Sequence, residues 1–200
     1  ALLNYLALLG WSPKDEQEIL SKADIIAQFG MDRVNKSNAV FDVEKLNWMN
    51  GQYIRKLSKD QLYERILPYL DIAKKETFLA LSIEQQKNAV VAIQDNLDVL
   101  NDINTYIDVF LASNDSVKKK QQDLSWKDSD KTVLTQLNQL LSSKTYTSVN
   151  DFNTLLDQVC EITGFGKGKV FKPTRLALTG ESSGPHISEL CAFFGSKIIQ

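Results

Sequence analysis

Residues 33–55 read RVNKSNAVFDVEKLNWMNGQYIR, and the rest of the chain is most easily understood outward from them. The stretch starts basic and loop-like through Lys36, Ser37 and Asn38. Asp42 then stands where a helix N-cap belongs, because a short carboxylate there accepts an orphan backbone N–H of the first turn. Glu44 follows, favoured by the positive end of the helix dipole. Val43, Leu46 and Met49 recur at helical spacing. Asn50-Gly51 interrupts the pattern and Ile54-Arg55 resumes it. Trp48 and Tyr53 add large aromatic surface, and at helical spacing beside Leu46 and Met49 they are expected to pack in a core rather than stack on bases.

Upstream, Leu2, Leu3, Tyr5, Leu6 and Leu9 form a short helix with a wide apolar face, stopped at Gly10. Ser12-Pro13 reads as a cap and first helical residue, with Asp15 and Glu16 in the first turn of an element closing at Ile19-Leu20. Ser21 and Asp24 start another, with Ile25, Ile26 and Phe29 as its buried side and Gly30 as its end. Downstream, Ser58 with Gln61 and Ser82 with Gln85 have the spacing of capping boxes. Leu62, Ile66, Leu67 and Leu70 continue a helix broken near Pro68. Ala89, Val90 and Ile93 lead to Leu97, Leu100 and Ile103, and Tyr106, Ile107, Phe110 and Leu111 mark a further helix.

The span 114–131 is poorest in apolar residues and is expected to be an exposed connection. Its run Lys118-Lys119-Lys120 either reaches phosphates or, on the plainer reading, is a solvated helix end. Val133, Leu134, Leu137, Leu140 and Leu141 form one more amphipathic helix. Val149, Phe152, Leu155, Leu156, Val159 and Cys160 form another, stopped by Gly164. No convincing alternating strand occurs. The expected fold is all-α, with roughly nine or ten helices in two or three packed groups.

The 200 residues are 43% hydrophobic and 24% charged, with a formal net charge of -2, which suits an ordinary soluble domain and not a protein that coats nucleic acid indiscriminately. Cations gather at one end: Lys167, Lys169, Lys172, Arg175 and Lys197 face only Glu181 and Glu189 after Gly166. No apolar run reaches the roughly 18 residues of a membrane span. With two cysteines and no secretory pattern, a reducing, cytoplasmic setting is expected. The chain starts abruptly inside an apolar helix, so it is expected to be a piece of a longer protein.

Catalytic candidates are sparse. His186 is the lone histidine, without the companions a metal site needs. It stands five residues before Cys191, a poor alignment for a nucleophile pair. Both cysteines sit in apolar helical patterns and read as core. Gly164, Gly166 and Gly168 match neither phosphate-loop pattern and follow no strand, so they read as a turn between helices whose lysines approach a nucleic-acid backbone.

Three stretches carry a resemblance. AVFDVEKLNWMNGQYIR closely resembles a segment of bacterial glutamyl-tRNA synthetases that follows the catalytic half and touches the tRNA stem. ALLNYLALLGWSP is similar to the family segment after the ATP-binding loop. GKVFKPTRLALTGESSGPHISEL, residues 168–190, looks like the family's closing signature, with Thr174 where Leu is usual. The resemblance implies a stem-contact region over 1–60 and two helical anticodon-binding subdomains over 61–122 and 123–200.

It also implies anticodon contacts from Arg175, Thr179, Gly184 and Pro185, rimmed by Lys169 and Lys172, with stem contacts from Arg33, Lys36 and Asn38. Family members that read strictly for glutamate carry an arginine on a helix of the first anticodon subdomain. Asn96, or else Gln94, falls at that place here, which implies that the tRNA for glutamine is accepted beside that for glutamate; a misaligned turn is the competing explanation. H-I-G-H-like and K-M-S-K-like motifs are both missing. The piece is therefore expected to bind tRNA without activating glutamate and to need no cofactor, while the full-length ligase uses ATP with magnesium. DNA and membranes are not expected partners. The alternative is a helical protein-interaction module with no RNA function, which predicts an exposed apolar groove and no salt-dependent tRNA binding.

Overall fold

The computed structural model describes residues 1–35, 39–122 and 124–195, and among them the regular structure is helical. Thirteen α-helices follow in order: α1 Leu2–Gly10, α2 Lys22–Gln28, α3 Val43–Ile54, α4 Lys59–Ile66, α5 Ile72–Leu79, α6 Ile83–Ile93, α7 Ile103–Tyr106, α8 Asp108–Leu111, α9 Asn114–Gln122, α10 Asp128–Ser143, α11 Val149–Thr163, α12 Lys167–Thr179 and α13 Ile187–Phe194. The count exceeds nine or ten because α7 and α8 are single turns and α9 forms in a span expected to be a connection. One bridge pairs Trp11 with Val34.

The helix starts follow local chemistry. Ser21, Ser58, Ser82 and Ser148 each accept the N–H of the third residue on, whose side chain bonds back to the cap N–H. Asp42 accepts from Lys45 N at 3.0 Å, as its place before α3 required. α11 stops at Gly164, whose φ of 69° is the left-handed conformation only glycine adopts without cost.

Several expectations are overturned. Ser12–Leu20 forms no helix: Leu20 N, which a helix would bond to Glu16 O, donates to Asn4 Oδ1, and the start of the segment is held to another part of the chain by Ser12 N to Arg33 O and Asn35 N to Gly10 O. The span 114–131 is largely exposed, as expected, with no buried residue in its helix α9, but that helix lies along α12, and α10 already begins at Asp128. Trp48 is 41% exposed and is not a core residue, whereas Met49 beside it is wholly buried. Asn50-Gly51 does not interrupt α3, and α12 already begins at Lys167, so Gly168 is helical rather than in the turn.

The apolar stripes converge on one large core running from Ile54 to Cys191, in which Leu62, Phe78, Ile93, Ile107, Leu155 and Leu190 are fully buried. Trp11, Leu20 and Ile25 make a second, small cluster. α3 ties the two together. The Tyr53 hydroxyl lies 2.6 Å from Leu20 O and 2.8 Å from Asn4 Oδ1, Tyr5 Oη accepts from Asp42 N, and Lys45 pairs with Glu18 at 2.7 Å. Among the described residues no helix is long and apolar enough to cross a membrane.

Candidate nucleic-acid interface

The site is assembled from four segments of the chain: the end of α12 with the turn after it, the turn after α6, α9, and the α7–α8 stretch. The first is the end of α12 and the turn after it. Gly180 reverses the chain at a φ of 70°. The Thr179 hydroxyl donates to Arg175 O at 2.9 Å and accepts from Glu181 N at 3.1 Å, so its bonding capacity goes into shaping the turn. Arg175 is half-buried and its Nη1 donates to Pro185 O at 2.5 Å, passing 3.4 Å from where a Cβ on Gly184 would sit. It braces the Gly184-Pro185 wall from behind. Burial lowers its pKa from the ordinary arginine value, with the neighbouring Cys191 thiol opposing, yet a guanidinium there stays charged at neutral pH.

The second segment is the turn after α6. Gln94 Nε2 donates to Ile54 O at 2.8 Å and to Leu57 O at 3.0 Å, satisfying carbonyls at the end of α3. Arg55 Nη2 donates to Asp95 O at 3.0 Å, and Asn50 Nδ2 to Asp98 O at 2.7 Å. Gly51 leaves no space there, since a Cβ would lie 3.1 Å from Leu97 O. The MNGQ stretch is therefore a docking face. Clamped in this way, the turn leaves the side chain of Asn96 exposed.

The third segment is α9, held along α12 by Gln121 Nε2 donating to Ala177 O at 2.6 Å. Between these three and the α7–α8 stretch, which contributes Tyr106, Asp108 and Val109, lies a recess of about 710 Å³, lined also by Asn96, Lys120, Thr179, Gly184 and Pro185. Lys120 Nζ meets Glu181 Oε1 at 2.5 Å on its margin. Asp108, also on the lining, is paired with Lys74 at 2.7 Å.

Four sequence candidates thus meet in one hollow: Asn96, Thr179, Gly184 and Pro185. Arg175 stands behind its wall. Lys172 and Lys169 are exposed one and two turns earlier on α12, Lys169 with its Nζ 5.5 Å from the Phe165 ring centre. Arg33 does not line the recess; it is half-buried, 3.8 Å from Asp32. Lys36 and Asn38 lie outside the described residues. Tyr106, Lys120 and Glu181 were missed as recess residues. Their only sequence signals are an aromatic beside the buried Ile103, Ile107 and Phe110 stripe and a basic run.

Other polar groups do not form a catalytic set. His186 is exposed with Nδ1 2.7 Å from Ser188 Oγ. Cys191 is buried and its thiol is pushed up to about 12 by burial, partly offset by Arg175. Among the described residues no group of three or more His, Cys, Asp or Glu side chains could hold a metal ion. A second hollow, of about 580 Å³, lies between α1, α3 and α4 and is lined by Leu2, Leu46, Tyr53, Leu57 and Leu100 among others.

Residues 61–199 match the family model described as anticodon binding domain, and residues 1–48 match that of tRNA synthetases class I (E and Q), catalytic domain. The chain is 35% identical over 205 residues to a glutamate–tRNA ligase of Desulforamulus reducens, spanning 98% of this chain and 42% of that protein. It is 36% identical over 201 residues to one of Heliobacterium modesticaldum, spanning 98% of this chain and 40% of that protein. A solved glutamate–tRNA ligase from Elizabethkingia meningosepticum, in complex with its amino acid, aligns with a TM-score of 0.67 at 28% identity over 99% of this chain and 38% of that one. The chain thus spans about two fifths of the curated relatives it matches.

Proposed function

This chain belongs to the anticodon binding domain family, and from that premise we propose that its recess receives unpaired anticodon bases of a transfer RNA, as part of a ligase that joins glutamate to tRNA at the expense of ATP. The observation that carries the reading is the meeting of Asn96, Thr179, Gly184 and Pro185 around one hollow. Bases of a single-stranded loop can be splayed, stacked and read on their edges. Tyr106 offers a stacking face, Asn96 an amide with both donors and acceptor, and the braced Gly184-Pro185 wall offers fixed backbone groups. Lys172 and Lys169 continue from Arg175 along α12 toward the phosphate backbone. Arg33, with Lys36 and Asn38 beside it in sequence, serves the stem. We assign residues 1–60 to stem contact and residues 61–122 and 123–200 to the anticodon.

In the full-length ligase, ATP with magnesium activates glutamate, and the amino acid then passes to the tRNA's terminal adenosine. The sequence lacks H-I-G-H-like and K-M-S-K-like motifs, so that chemistry is assigned elsewhere. This chain contributes binding energy remote from the reacting centre, which orients the acceptor end. The comparisons give no support to an interaction module without an RNA function.

A band shift of the 200-residue chain with the tRNA for glutamate, at two salt concentrations, tests the reading. The expected affinity falls with salt, with a log–log slope of about -0.7 per single-strand phosphate contact. Salt-insensitive or absent binding refutes it. The position of Asn96 on the recess, with Gln94 turned toward α3, further supports use of the tRNA for glutamine, because a neutral amide lacks the charged fork of an arginine. Aminoacylation of both tRNAs by the full-length enzyme tests this, and a strong preference for the glutamate tRNA removes it.

A further inference from the structure

We propose that the Lys120–Glu181 pair is a latch on the recess, in which Glu181 occupies the place of an RNA phosphate and yields Lys120 to that phosphate on binding. The inference rests on the anticodon-binding reading and adds to it a cation contact and an internal competitor.

Three features of the two side chains point this way. Both line the recess, so their ion pair faces any ligand that enters. Their side chains are 45% and 51% exposed, so the pair is reachable by a polyanion. They are also held very differently. The Lys120 stem lies over Gly180, where a Cβ would meet Lys120 Cβ at 2.7 Å and Cδ at 3.0 Å. The next residue is tied to α12 through Ala177 O. Lys120 is thus a positioned cation. Glu181 is fixed only through its backbone N–H, which donates to Thr179 Oγ1, and its carboxylate stands on a turn outside any helix. Rotating that carboxylate away breaks no other hydrogen bond made by its side chain among those described.

The surrounding charges make the exchange consequential. Asp108, the other acid on the lining, is neutralised by Lys74, and the Arg175 guanidinium is engaged behind Pro185. Among the described residues of the lining, Lys120 is therefore the positive group, and Glu181 cancels it. A phosphate provides more acceptor oxygens and more charge than one carboxylate, so the swap favours RNA while weaker anions are refused.

The test uses the whole 200-residue chain and an anticodon stem-loop RNA, with binding followed by fluorescence anisotropy at two salt concentrations. E181Q should tighten binding by about three- to fivefold, the scale of an exposed ion pair. K120Q should weaken it and reduce the salt slope by about 0.7–0.9. In the K120Q background E181Q should change binding by less than about twofold, because its benefit passes through Lys120. Tight binding by the unsubstituted chain with E181Q without effect, or with an E181Q benefit undiminished in the K120Q background, overturns the latch and leaves the anticodon reading standing. No salt-dependent binding by the unsubstituted chain overturns both.

Discussion

Replacing Gly180 by alanine perturbs the site where the Lys120 side chain packs on the turn after α12. Two costs add there. Gly180 has a φ of 70°, and an L-residue in that left-handed conformation costs about 1–2 kcal/mol. The new methyl would also lie 2.7 Å from Lys120 Cβ and 3.0 Å from its Cδ, with the nearer atom fixed to the α9 backbone. α9 must then lift from α12, an overpacking cost of about 1–3 kcal/mol. Gly180 caps α12 and is not inside it, so no gain in helix propensity offsets these terms. The total is about 2–5 kcal/mol, or a fall in Tm of roughly 5–15 °C for a chain of this size.

Gly164 is the matched control. Its φ of 69° is nearly the same, yet nothing lies within 4 Å of where its Cβ would be. Gly164→Ala should therefore cost only the conformational part, about 1–2 kcal/mol. Urea unfolding of the two variants measures the difference, and Lys120→Ala in the Gly180→Ala background should recover only part of the loss, because the closest clash is with Cβ. Equal destabilisation of the two glycine variants would refute the claim that α9 presses on the turn.

Further outcomes follow from the same geometry. Tyr53→Phe removes the donor facing Leu20 O and Asn4 Oδ1 and should cost about 1–3 kcal/mol, visible as faster amide exchange in residues 20–28 with little change in the large core. Gln94→Leu leaves the Ile54 and Leu57 carbonyls without that donor, with a loss of about 1–3 kcal/mol by urea unfolding and weaker binding of the anticodon stem-loop as Asn96 loses its support. Burial holds the Cys191 thiol protonated up to about 12. Above the ordinary thiol pKa of about 8.5, the unfolded chain sheds a proton that the folded chain keeps. Cys191 therefore makes stability fall with rising pH by at most about 1.4 kcal/mol per unit, a component that urea unfolding of Cys191→Ala at mildly and strongly alkaline pH should lack.

Much of the fold was legible because its signals are local. A serine oxygen reaches only three residues on, so Ser21, Ser58 and Ser82 declared their helices without knowledge of the rest. Apolar spacing likewise marked Leu62, Ile66, Ile93, Ile107, Leu155 and Leu156 as core. The failures arose where a remote partner outbid a local preference. The cap-like Ser12-Pro13 start lost to the Trp11–Val34 bridge and its neighbouring hydrogen bonds. Gly51 reads as a helix interruption, but its missing side chain is what lets Leu97 and Asp98 approach.

Sequence alone therefore determined where many helices begin, which faces the helices of the large core bury and which residues resemble anticodon contacts, whereas Ile26 and Phe29, expected on a buried side, are exposed. Each of those properties rests on groups a few residues apart. Only the tertiary structure decided that Asn96, Lys120 and the Thr179–Pro185 turn share one hollow, that Arg175 braces its wall, and that Glu181 covers its lysine. Except for the Arg175–Pro185 contact, those relations join segments dozens of residues apart, and they exist only once the large core has brought α6, α7–α8, α9 and α12 together.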